Sequence, residues 1–157
     1  MLDLIKQLLH GDHGSRRLTE DPPETAVAVC ALLMEAAEAD SNVSSDERAL
    51  IHRELRHRFA LDESGVDALI QETQRQRATA GDAWPFTHAL SVQYSLEQKR
   101  ELLVLIWQIL FSDAKLTDSE EQWVHRLQTM LAVNHSVLID AKLQARRLMG
   151  ATQAATG

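Results

Sequence analysis

An all-α bundle of about seven to eight helices is the fold this chain predicts, and three observations carry that expectation. Apolar residues recur at helical spacing along nearly the whole length. They are mostly Leu, Ala, Val and Ile, with only 4% aromatics, and three prolines in 157 residues leave long uninterrupted stretches. The 45% apolar and 25% charged content is that of an ordinary globular protein, and the length suits one domain with a real core.

Taken in order, residues 1–22 read as a short N-terminal helix and a linker. Leu2, Leu4, Ile5, Leu8 and Leu9 are apolar, but Asp3 and Lys6 interrupt a run already too short for a signal peptide or a membrane span. Gly11 to Pro23 is the linker, with Asp21 placed to cap the next helix. Helices are expected near 23–39, 44–59, 62–78, 83–94, 96–112, 117–131 and 134–149, with a frayed tail over 150–157. The helix from Leu96 to Phe111 is apolar nearly all round and belongs at the centre of the bundle. Ser95 followed by Gln98 marks its start with a capping-box pattern.

An internal repeat organises the domain over 23–149. A shift of 73 residues places Asp40 on Asp113, Glu47 on Glu120, His52 on His125 and Arg53 on Arg126. The apolar run Val29 to Leu33 falls on Leu102 to Ile106, and after a one-residue slip Asp62 and Ser64 face Asn134 and Ser136. This pattern predicts duplication: a first repeat over about 25–78, a connector over 79–95 and a second repeat over 96–149, arranged with pseudo-twofold symmetry.

The repeated loops carry the candidate chemistry. Ser44 with Glu47, and Thr117 with Glu120, spell S/T-x-x-E, in which hydroxyl and carboxylate satisfy free amides at a helix start. Caps alone would explain the glutamates. Both, however, head rows that continue inward, Glu47 with Leu50, Ile51 and Leu55, and Glu120 with Trp123, Val124, Leu127, Met130 and Leu131. Asp40 and Asp113 follow apolar helices, where the negative end of the macrodipole disfavours a carboxylate by up to about 1 kcal/mol. Compensation comes either from amides of the next helix or from a bound cation. Brought together by a twofold, Asp40, Glu47, Asp113 and Glu120 would form an oxygen-rich site for Ca²⁺, Mg²⁺ or Mn²⁺. An EF-hand is excluded, because Glu47 comes eight residues into the loop, no central glycine is present, and Lys115 occupies a ligand position in the second copy.

At these loops the chain resembles the tellurite resistance protein TerB family. Ala39-Asp40 and Ser112-Asp113, followed by Val43 or Leu116 and then Glu47 or Glu120, are similar to that family's duplicated Asp, hydrophobic, Glu signature. Ser41 and Ala114 stand where the family has glycine. The resemblance spans roughly 25–149 and implies a helical, non-enzymatic domain of bacterial stress systems or envelope-linked complexes, whose acidic positions cluster to bind a divalent metal or a protein partner. The alternative is a metal-free protein-interaction module in which the loop acids are only caps.

Other features mostly exclude. A net charge of −7 repels a phosphate backbone, so nucleic acid is not an expected partner. The clusters Arg53, Arg56, His57 and Arg58, then Arg75 and Arg77, then Arg146 and Arg147 read as solvated faces or helix C-termini. Cys30 lies in an apolar run and reads as a buried, inert thiol. His52 and His125 are off the i, i+4 register with the glutamates, and His10 and His13 fall in the linker. Trp84, Pro85 and Phe86 are either a partner hot spot or a staple of the bundle. No phosphate loop, nucleophile elbow or H-E-x-x-H helix occurs, so no enzyme is expected, and a cytoplasmic location follows from a lone cysteine and no predicted transmembrane segment.

Overall fold

The computed structural model describes residues 23–39, 43–112 and 116–156. Among them are seven helices and no strand, as the composition predicts. The short helix and linker expected over 1–22, and the loop aspartates Asp40 and Asp113, lie outside the described residues.

Helix α1, Pro23–Glu38, opens on a proline, whose missing amide costs nothing in a first turn. Its residues from Ala26 to Leu33 are all buried, which makes it a central element. Helix α2, Ser45–Phe59, starts where the Ser44 hydroxyl accepts the Glu47 amide, and it buries one face through Ile51, Leu55 and Phe59. It stops at Ala60, which takes the left-handed conformation at φ 51. Helix α3, Glu63–Ala80, is capped by Asp62, whose Oδ1 accepts the Gly65 amide at 2.8 Å. It ends at Gly81, whose φ of 83 suits glycine.

Helix α4, Trp84–Gln93, is the connector. Helix α5, Leu96–Phe111, has both halves of the Ser95–Gln98 box, at 3.2 and 2.9 Å, and buries every residue from Leu102 to Trp107. Helix α6, Asp118–Met130, begins at Thr117, and the chain turns through Ala132 at φ 58 into helix α7, His135–Thr156. Helix α7 runs on past Gly150, where a boundary was expected. A glycine in a helix costs about 1 kcal/mol, and Ala151, Ala154 and Ala155 beyond it are strong helix formers.

The two apolar helices, α1 and α5, pack on each other at the centre. Around α1 lie α2, α3 and α4; α7 lies along α5, and α6 rests on α4. The Trp107 indole donates to the Leu138 carbonyl at 3.2 Å, which ties α5 to α7 and satisfies the one polar atom of the largest core side chain. No helix of the described residues is long and apolar enough to cross a membrane.

Candidate functional site

Each acidic corner is built at a helix start, where the first amides have no partner within the helix. In the second corner the exchange is complete. The Thr117 hydroxyl accepts the Glu120 amide at 3.1 Å, and the Glu120 carboxylate accepts the Thr117 amide at 2.9 Å. In the first corner the Ser44 hydroxyl accepts the Glu47 amide at 3.1 Å and also lies 3.3 Å from Glu47 Oε1, to which it can donate. Glu47 and Glu120 are each only 2% exposed. Both glutamates therefore point inward at the head of an apolar row, as their spacing predicts. Val124, Leu127 and Leu131 continue the row of Glu120, Ile51 and Leu55 that of Glu47, while Leu50, Trp123 and Met130 are only partly buried.

Beside the first corner lies a hollow of about 270 Å³, lined by Met34, Val43, Ile51 and Ile70 together with Arg48 and His52. Among the described residues no group of three or more His, Cys, Asp or Glu side chains is placed to hold a metal ion. Of the four ligands expected from the sequence, Glu47 and Glu120 are held at their own helix starts, and Asp40 and Asp113 lie outside the described residues.

A second charged region joins α1 to α6 and the α3–α4 turn. Arg77 grips Glu38 through two bonds, at 2.6 and 3.2 Å. Burial pushes the neighbouring Glu35 carboxyl above its ordinary range, against the indole of Trp123 and the charges of Arg77 and Arg126, which pull it down. Glu35 and Asp82 line two adjoining cavities of about 350 and 180 Å³.

The remaining candidates sort by packing. Cys30 is fully buried against Thr73 and Met34, and burial pushes its thiol up to about 11, so it is no nucleophile at neutral pH. Phe86 is buried as a staple, but Trp84 is 57% exposed and stacks on His88 at 4.7 Å. The tripeptide around Pro85 therefore divides between core and surface. His125 is a surface residue, stacked on His135 at 5.6 Å, a pairing across the α6–α7 turn that spacing alone does not display. Arg75 binds the buried Glu72 and Arg146 covers the Phe111 ring, so two of the basic clusters serve local structure.

Comparison with known proteins adds one finding. The family model described as Tellurite resistance protein TerB matches residues 26–143, three quarters of the chain and all of it from α1 into α7. No curated protein and no solved structure matches.

Proposed function

The chain belongs to the TerB family, and from that premise we propose that it is a non-catalytic binding module whose two acidic corners take a divalent cation, Ca²⁺, Mg²⁺ or Mn²⁺, and through it a protein partner. The observation that carries this reading is the pair of carboxylates, Glu47 and Glu120, buried at the same position of α2 and α6. Each follows an aspartate-bearing loop by a few residues, Asp40 in one case and Asp113 in the other. A carboxylate that accepts one amide keeps further lone pairs, and oxygen-only donor sets suit hard cations. Asp40 and Asp113 would supply further oxygen ligands beside Glu47 and Glu120. The family's description as a tellurite resistance protein supports placing the module in a stress response.

The completed box of Thr117 and Glu120 favours a second reading, a metal-free interaction module in which the glutamates only cap. NMR titration of the full chain with each cation separates the two. The first reading expects saturable shifts confined to amides near 43–48 and 116–121, lost in the double variant Asp40→Asn, Asp113→Asn. An unchanged spectrum at millimolar Ca²⁺, Mg²⁺ and Mn²⁺ would leave only the second.

A further inference from the structure

The outer face of α2 is basic in a chain whose net charge is −7. His52, Arg53, Arg56 and His57 stand at i, i+1, i+4 and i+5, so they form two neighbouring rows on one side of the helix, with the small Ala49 one turn before them. The start of α3 closes the opposite wall through Leu61 and Glu63, leaving a groove of about 610 Å³. This wall exists because Ala60 adopts its left-handed turn, with the Leu61 amide bonded back to the Arg56 carbonyl at 3.0 Å.

The two arginines of this groove differ from those elsewhere. Arg77 and Arg75 hold their carboxylates at 2.6 and 2.5 Å. Arg53 and Arg56 lie 4.0 Å from Glu54 and 3.9 Å from Glu63, the outer limit of an ion pair, and are 73% and 52% exposed. Their forks are not committed to an internal partner at hydrogen-bonding distance. Glu63 is the one acid lining the groove, and it is itself 82% exposed. The corresponding face of α6, under the 73-residue shift, reads Gln122, His125, Arg126, Thr129 and Met130. His52 and Arg53 thus have counterparts in His125 and Arg126, whereas Arg56 and His57 are peculiar to α2 and not a requirement of the helix.

We propose that this groove is a binding site for a compact phosphoryl-bearing anion, held by Arg53 and Arg56 with His52 and His57 as further donors. Guanidinium forks match tetrahedral phosphate oxygens through paired, charge-assisted hydrogen bonds. The stripe from Ala49 to His57 runs about 12 Å along α2, enough for one or two phosphate groups. An extended nucleic-acid backbone is disfavoured by the overall negative charge, which acts at longer range than the groove. The site shares His52 with the hollow beside the first acidic corner but uses none of the acids of either corner.

The test is titration of the full chain, free of divalent cations, with pyrophosphate, with citrate as a carboxylate control, and with phosphatidylcholine vesicles with or without phosphatidic acid. Saturable pyrophosphate shifts centred on residues 49–63, weakened at least about tenfold in Arg53→Gln, Arg56→Gln, are expected. An Arg147→Gln control should bind normally, and unchanged melting of both variants would exclude unfolding as the cause. Binding to phosphatidic-acid vesicles alone, with the same arginine dependence, supports the site and identifies a lipid headgroup as its source. Citrate or an acidic peptide binding as tightly as pyrophosphate, shifts spread evenly over all basic residues, or no saturation by millimolar pyrophosphate and no vesicle binding would overturn it.

Discussion

Helices α2 and α6 are alike on the inside and opposed on the outside. Each begins with a hydroxyl cap, buries a glutamate at its third position, and is followed by an alanine of positive φ. Outward, α2 carries four arginines against two acids, Asp46 and Glu54, whereas α6 carries one arginine against two, Asp118 and Glu121. Their supports also differ, since α2 packs on α1 and α3 while α6 rests on α4. Unpaired amides and a close-packed interior constrain a helix start and its inner row tightly. The outer face is free of both constraints, and it is there that α2 and α6 differ in chemistry.

The inner faces give the largest test of this likeness. Leu55 and Leu127 are both buried in the core beneath their glutamates. Leu55→Ala and Leu127→Ala should each cost about 2–5 kcal/mol in urea unfolding, through lost burial and the cavity left behind. A cost at Leu127 less than half that at Leu55 would mean that resting on α4 is a looser support than packing on α1. One step smaller are the caps. Thr117→Ala and Ser44→Ala should each cost about 1 kcal/mol, because both hydroxyls accept the glutamate amide at the same 3.1 Å.

Much of this was legible from the chain alone, for a local reason. Ser44, Asp62, Ser95 and Thr117 each announce a helix start by the hydrogen bond they later make, so the helix boundaries follow within a few residues. Glu47 and Glu120 could be read as inward-facing because a single helix fixes which residues share a face. The groove could not be read in the same way. Arg53 and Arg56 were visible as a basic cluster, but the wall made by Leu61 and Glu63 depends on the direction α3 takes after a left-handed alanine. Trp84 escaped for a similar reason, since its exposure is set by how α4 lies against α1. Convergence of the two acidic corners likewise depends on the crossing of helices distant in sequence, which no local spacing encodes.

Helices α3 and α7 also differ in where they place ionisable groups, and acid separates them. Glu72 of α3 is buried, and the hydrogen bonds from Arg75 hold its carboxyl down to about 2, against an ordinary 4.5. In α7 Gln144, which the sequence shift with its one-residue slip sets against Glu72, accepts from Arg100 at 2.5 Å. A depressed folded-state value means that the stability Glu72 adds is fully present above about 4.5 and is lost as the pH falls toward about 2. Glu72→Gln should therefore flatten the acid limb of a stability profile between those values. Gln144→Ala, which removes no ionisable group, should lower stability without changing that slope.

The smallest effect has the opposite sign and falls on α1. Glu35 is half-buried where α5 has Gln108 under the 73-residue shift, and burial raises its carboxyl above the ordinary value despite the Trp123 indole, Arg77 and Arg126. A raised folded-state value means that the folded chain holds this proton more tightly than the unfolded one. Ionisation near neutrality thus costs stability, and the cost disappears once the pH falls below the unfolded value. Glu35→Gln keeps an acceptor for the indole and removes the charge. It should raise the melting temperature at pH 7 by about 1 °C, because solvent screening of a half-exposed group limits the gain to a few tenths of a kcal/mol. The same substitution should be neutral at pH 3. A lower melting temperature at pH 7 would show that Glu35 is a working counter-charge to Arg77 and Arg126, so that the carboxylate which α1 has and α5 lacks at this position stabilises the fold by pairing.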